Sequence, residues 1–160
     1  MDLFSSYCSG FATYTRGNIR LAAGVDDRGD AGYGRNRLFG VSASHQGERL
    51  YLAVKYELFD TGNRQPGSFA RDGNRALNLF GSYAMGRDTV KLMLAKVENY
   101  GARIVHLGLD RQLSDTCKVF AEYYHESETA TLVARRRGLG DFDAGIGGGR
   151  AVVVGLRQDF

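Results

Sequence analysis

The chain has 160 residues, enough for one domain with a sizeable core, and 21 basic residues against 18 acidic ones leave a net charge of only +3, which weighs against a nucleic-acid binder. No apolar run approaches the roughly 18–20 residues that a spanning helix needs. Cys8 and Cys117 match neither a disulfide framework nor a metal-ligand spacing, and their expected place is as small side chains at strand starts.

Helical periodicity is hard to find, whereas a period of two recurs along the whole chain, the pattern of half-buried strands. The first expected strand is Gly10–Thr15, turning at Arg16-Gly17 into a second, Asn18–Val25. A loop rich in Gly and Asp follows, then a third strand, Asn36–Ser44, and a tight turn at His45–Glu48. The segment Arg49–Leu58 alternates most clearly: Leu50, Leu52, Val54 and Tyr56 share one face, and Tyr51, Ala53, Lys55 and Glu57 the other. A long polar loop holding Pro66, the only proline, leads to Arg75–Met85, where Leu77, Leu79, Gly81, Tyr83 and Met85 share a face. Gly86-Arg87 turns the chain into Thr89–Val97, and a modest loop leads to Arg103–Leu113. A short turn at Ser114–Thr116 precedes Cys117–Glu126; a long loop then leads to Ala151–Phe160.

These segments make about nine strands of roughly ten residues, longer than the usual strand of a water-soluble sheet and suited to crossing a bilayer at a tilt. Tight turns and long loops alternate, so an up-and-down meander collects the short turns at one end. The expected fold is an all-β, antiparallel up-and-down transmembrane β-barrel in a single domain, 1–160. Opposite the apolar face lie Arg20, Lys55, Glu57, Lys91, Asp110, Lys118, Glu122, Arg157 and Asp159, with Ser42, Ser44, Asn78 and Ser82. Five of those charges are basic and four acidic, too even to set an ion preference. Interspersed charges of both signs suit a water-filled channel wall; they equally suit the solvent face of a soluble sheet, and periodicity alone does not separate the two. Lys96, Arg111 and Gln158 interrupt the apolar face near strand ends, where charge costs little, and Tyr56, Tyr83 and Tyr123 are candidates for interfacial girdles.

The hairpin HLGLDRQLSDTCKVFAEYYHESE and the closing GGGRAVVVGLRQDF resemble the C-terminal end of general bacterial porins of the beta-proteobacterial, Gram-negative type. The segments RLYLAVKYELFDTG and RALNLFGSYAMG resemble upstream hairpins of that family, so the likeness runs from about Asn36 onward. Gln158 and Arg111 depart from the aromatic or histidine and the tyrosine usual there. Porins of this family have about sixteen strands. The resemblance therefore implies a C-terminal portion of such a barrel, without its N-terminal half, its constricting loop or a signal peptide; MDLFSSYCSG has no basic n-region or apolar core. It further implies an outer-membrane location, lipid and lipopolysaccharide around the wall, and a homotrimeric full-length parent. Val152, Val154, Leu156 and the terminal Phe160 look like the signal read by the barrel assembly machinery.

Rival chemistry is weak. Arg135–Arg137 reads as a solvated loop tip, and GIGGGR lacks the Lys-Ser/Thr and following helix of a phosphate loop. His45, His106 and His125 show no ligand spacing, and Asp110 with Glu122 reads as wall charge rather than a catalytic pair. The expectation is a passive channel for ions and small hydrophilic solutes, with no catalysis, cofactor, metal or nucleic-acid partner. The alternative is a soluble or periplasmic up-and-down barrel holding an apolar ligand.

Overall fold

The computed structural model describes residues 9–27, 29, 34–64, 70–98, 101–126 and 149–159. Its strands are β1 (Ser9–Arg16), β2 (Ile19–Asp27), β3 (Asn36–Gln46), β4 (Leu50–Thr61), β5 (Arg75–Met85), β6 (Asp88–Val97), β7 (Gly101–Ser114), β8 (Cys117–Glu126) and β9 (Arg150–Gln158). They form one nine-stranded antiparallel sheet in sequence order, β1 to β9. Among the described residues no ladder joins β1 to β9, so the sheet has two free edges.

Every hairpin from an odd strand to the next even one closes tightly, and all four tight turns fall at one end of the sheet. The turns Gly17-Asn18 and Gly86-Arg87 each place a glycine at positive φ, 56° and 62°, in the first turn position. There a side chain would be strained, and the backbone twist matches the flanking strands. The longer connections collect at the opposite end, as the meander requires.

Strand bounds agree with the alternation, with extensions into polar residues. β5 and β8 coincide with the expected segments. β2 runs on through Asp26 and Asp27, which pair with Leu38 and Arg37 of β3. β4 continues to Thr61 because Asp60 and Thr61 pair with Arg37 and Asn36. Cys117 opens β8 as expected; Cys8 lies outside the described residues.

The described residues have a very small buried apolar cluster: Phe59, Ala76 and Val97, with Leu38 and Ala70 packed against it. It forms where the β4–β5 connection folds back. Gly73 N–H donates to the Phe59 carbonyl at 2.8 Å, and Thr61 Oγ1 donates to the Ala70 carbonyl at 2.8 Å. Thr61, Asn63 and Asn74 are buried there as well. The sequence marks this connection only as a polar loop; Pro66 lies outside the described residues.

Candidate functional site

The cross-strand register assigns every strand residue to a face. One row runs Tyr14–Leu21–Ala43–Val54–Leu79–Leu94–Val105–His125–Arg150, each residue opposite the next. The next row toward the tight turns includes Leu52, Gly81, Leu92, Leu107, Tyr123 and Val152, and the one after it Leu50, Tyr83, Val90, Leu109, Ala121 and Val154. These rows make a continuous apolar face, and it is the exposed one. Leu52, Leu79, Leu107 and Leu109 keep 44–48% of their surface even in the middle of the sheet. At about 33 Å² per position, the apolar members of these three rows alone amount to roughly 600 Å² of contiguous surface, above the few hundred that proteins in water commonly leave open.

The opposite face is polar and more enclosed. Asn78, Ser82, Lys91 and His106 are half-buried, and Asp110 is 8% exposed, although among the described residues no second layer covers them. A sheet that curves around its polar face shields it in this way. The polar face is therefore concave and the apolar face convex.

Charged and polar side chains mark the borders of the convex face. At the long-connection end the border passes through Asp27, Arg37 and Asp60, then Arg75, Lys96 and Arg103, then His125 and Arg150. At the tight-turn end it passes through Arg16, then Asp88 and Arg111, then Gln158. Both borders step the same way across the sheet. A drift of about six residues over seven strand spacings is about 20 Å along against about 34 Å across, a tilt of about 30°. Arg103 and Arg111 bracket an apolar stretch of β7 about 27 Å long, or about 24 Å high once tilted, close to the apolar band of a membrane barrel. Lys96, Arg111 and Gln158 all fall on these borders. Arg111 pairs with Asp88 at 3.5 Å, and Gln158 Nε2 donates to Thr116 Oγ1 at 3.0 Å. Tyr83 and Tyr123 stand one row inside a border, whereas Tyr56 sits two rows inside, below Asp60.

All nine charged residues singled out on the wall lie on the concave side by register or, for Asp159 just past β9, by alternation. The structure gathers most of them into pairs. Asp110 Oδ2 accepts from Lys91 Nζ and from Lys118 Nζ, both at 2.7 Å, joining β6, β7 and β8. Lys55 pairs with Glu57 at 2.7 Å and Arg157 with Asp159 at 2.8 Å, each two residues apart along the chain. Arg20 and Glu122 have no partner among the described residues. Glu122 borders a cleft of about 130 Å³ lined also by Phe80, Lys91, Met93, His106 and Gly108.

Rings interrupt this polar wall. Phe80, Met93, His106 and Tyr124 are successive register partners, and the rings of His106 and Tyr124 meet edge-on at 4.4 Å. Tyr51 tilts against Phe80 at 5.6 Å. Alternation places each ring on the wall but does not show that they align, which depends on register. Among the described residues no group of His, Cys, Asp or Glu is arranged to hold a metal ion. Val152, Val154 and Leu156 project from the convex face of β9; Phe160 lies outside the described residues.

No family model and no curated protein sequence matches the chain. Among solved structures, it is similar to porin chains from Rhodopseudomonas blastica. A triple mutant of that porin is 19% identical, covering 96% of this chain and 55% of its own, with a TM-score of 0.47. A structure described as "Asymmetric conductivity of engineered proteins" is 20% identical with the same coverage and a TM-score of 0.46. The chain thus spans 55% of the length of the porin chains it matches.

Proposed function

We propose that the chain forms part of the wall of an outer-membrane channel through which ions and small hydrophilic solutes diffuse passively, without catalysis or cofactor. The observation that carries this reading is the inverted sheet: its apolar residues cover the convex face between two polar borders, and the Lys91–Asp110–Lys118, Lys55–Glu57 and Arg157–Asp159 pairs line the concave face. Lipid satisfies the first surface and water the second. A barrel built to hold an apolar ligand would turn the apolar rows toward the concave side. Lys91, Lys118, Arg157 and Arg20 against Asp110, Glu122 and Asp159 would then set the local field for passing ions. The assembly machinery would read Val152, Val154, Leu156 and Phe160, and the channel would be a homotrimer of the full-length protein embedded in lipid and lipopolysaccharide.

The test is conductance across a planar bilayer by the channel that contains this chain. Stepwise ohmic currents are expected. Protein that inserts fully and carries no current contradicts the proposal.

A further inference from the structure

Gly108 leaves a hollow in the concave wall. Its register partners on either side are Lys91 of β6 and Glu122 of β8, and both side chains lean over it: a Cβ at position 108 would stand 3.6 Å from Lys91 Cδ and 3.9 Å from Glu122 Cγ. Phe80, Met93 and His106 complete the cleft of about 130 Å³ above this glycine. The two charges at its rim are not equivalent. Asp110 Oδ2 holds Lys91 Nζ at 2.7 Å, so Lys91 offers the cleft mainly its aliphatic stem. Glu122 is exposed and keeps its carboxylate unpaired among the described residues. The cleft thus sets one uncompensated negative charge beside two apolar side chains and an imidazole.

We infer that this cleft binds a small organic ammonium ion carrying one apolar ring or a short chain. The inference rests on the reading of the concave face as a channel wall, and it names a solute class that dwells there. The ammonium donates charge-assisted hydrogen bonds to Glu122. Phe80 and Met93 take the apolar body, and an aromatic face attracts a cation where it repels an anion. An inorganic cation keeps its water and makes no use of Phe80 or Met93. An organic anion meets the Glu122 carboxylate and finds Lys91 already held by Asp110. The volume is about four waters' share of the liquid, so one ring enters and the rest of a larger solute stays in water.

The full chain, refolded in detergent micelles, is titrated with benzylammonium and followed by amide NMR shifts. Saturable shifts are expected at His106, Gly108 and Glu122, and benzoate and benzyl alcohol at the same concentrations should leave those amides in place. Glu122→Gln is expected to weaken benzylammonium about tenfold, the loss of one charge-assisted contact, and Glu122→Asp to keep part of the affinity. Gly108→Ala raises the floor of the cleft without touching a charge and should weaken binding as well. Equal shifts with benzoate or benzyl alcohol, or an affinity unchanged by Glu122→Gln or by Gly108→Ala, overturns the site. A second readout separates the site from the channel. In the channel that contains this chain, benzylammonium is expected to add current noise that saturates with concentration and is lost in Glu122→Gln. Saturable binding with currents untouched upholds the site and overturns the wall reading at this place. Currents that flow while no binding is seen uphold the channel and overturn the site.

Discussion

The ring of Phe120 on β8 lies directly over Gly155 on β9, its register partner; a Cβ at position 155 would stand 2.5 Å from Phe120 Cζ. The glycine makes room for the ring on the concave wall. Gly155→Ala is therefore expected to displace the ring and destabilise the β8–β9 hairpin by about 1–3 kcal/mol, as overpacking does. Urea unfolding in detergent measures the loss. Phe120→Ala in the same chain should return much of it, and a Gly155→Ala variant as stable as the parent contradicts this packing.

Asp110 holds two ammonium groups on one oxygen, and its other oxygen, Oδ1, is buried without a partner among the described residues. Asp110→Asn leaves Lys91 and Lys118 facing each other without the charge between them. The expected cost is about 1–3 kcal/mol in unfolding free energy. If the concave face is a channel wall, the reversal potential in a salt gradient also moves toward anion preference. An unchanged reversal potential in a conducting variant excludes this triad from the ion path.

Leu107 stands midway between the border residues Arg103 and Arg111 of β7, and Val154 midway between Arg150 and Gln158 of β9. Arginine at either place puts a charge at the centre of the apolar band, at a cost of about 2–4 kcal/mol. Leu107→Arg and Val154→Arg are expected to block insertion into vesicles, measured by flotation. His106→Arg, one residue away on the other face, should insert normally. Equal insertion of all three contradicts the assignment of faces.

The two edges of the sheet carry a different prediction. Among the described residues β1 and β9 are each paired on one side only, and Phe11 at 84%, Val152 at 73% and Val154 at 75% are among the most exposed large side chains. In the chain on its own, alternate amides of β1 and β9 should exchange quickly in detergent while those of β4 to β7 stay protected. Hydrogen exchange read by NMR decides this. Uniform protection of both edge strands means that the edges find partners, whether each other or a second molecule.

Alternation made the strands legible because a long sheet with unlike faces writes a period of two into every strand. β5 and β8 could be placed to the residue, since Gly86 and the start at Cys117 mark their ends. β2 and β4 run further than expected because Asp26, Asp27, Asp60 and Thr61 look like loop residues, and what extends them is pairing with β3. The members of the wall were legible one at a time. Their joining was not: Lys91 reaches Asp110 diagonally, since its register partner is Gly108. The fit of Phe120 to Gly155, the row from Phe80 to Tyr124 and the inward fold holding Ala70 all depend on pairings across strands that one strand's sequence does not specify. The basic border escaped notice for the same reason. Arg75, Lys96, Arg103, His125 and Arg150 are scattered along the sequence and become neighbours through register and tilt alone.

The central claim is that the convex apolar face meets lipid and the concave polar face meets water. Spin labels on single cysteines at positions 104 through 110 of β7, with Cys8 and Cys117 changed to Ser, test it most directly in refolded vesicles. Collision rates with oxygen, which partitions into lipid, should peak at 105, 107 and 109. Collision rates with a water-soluble nickel complex should peak at 104, 106, 108 and 110. The same alternation with the phases reversed would place the apolar rows toward water and contradict the account.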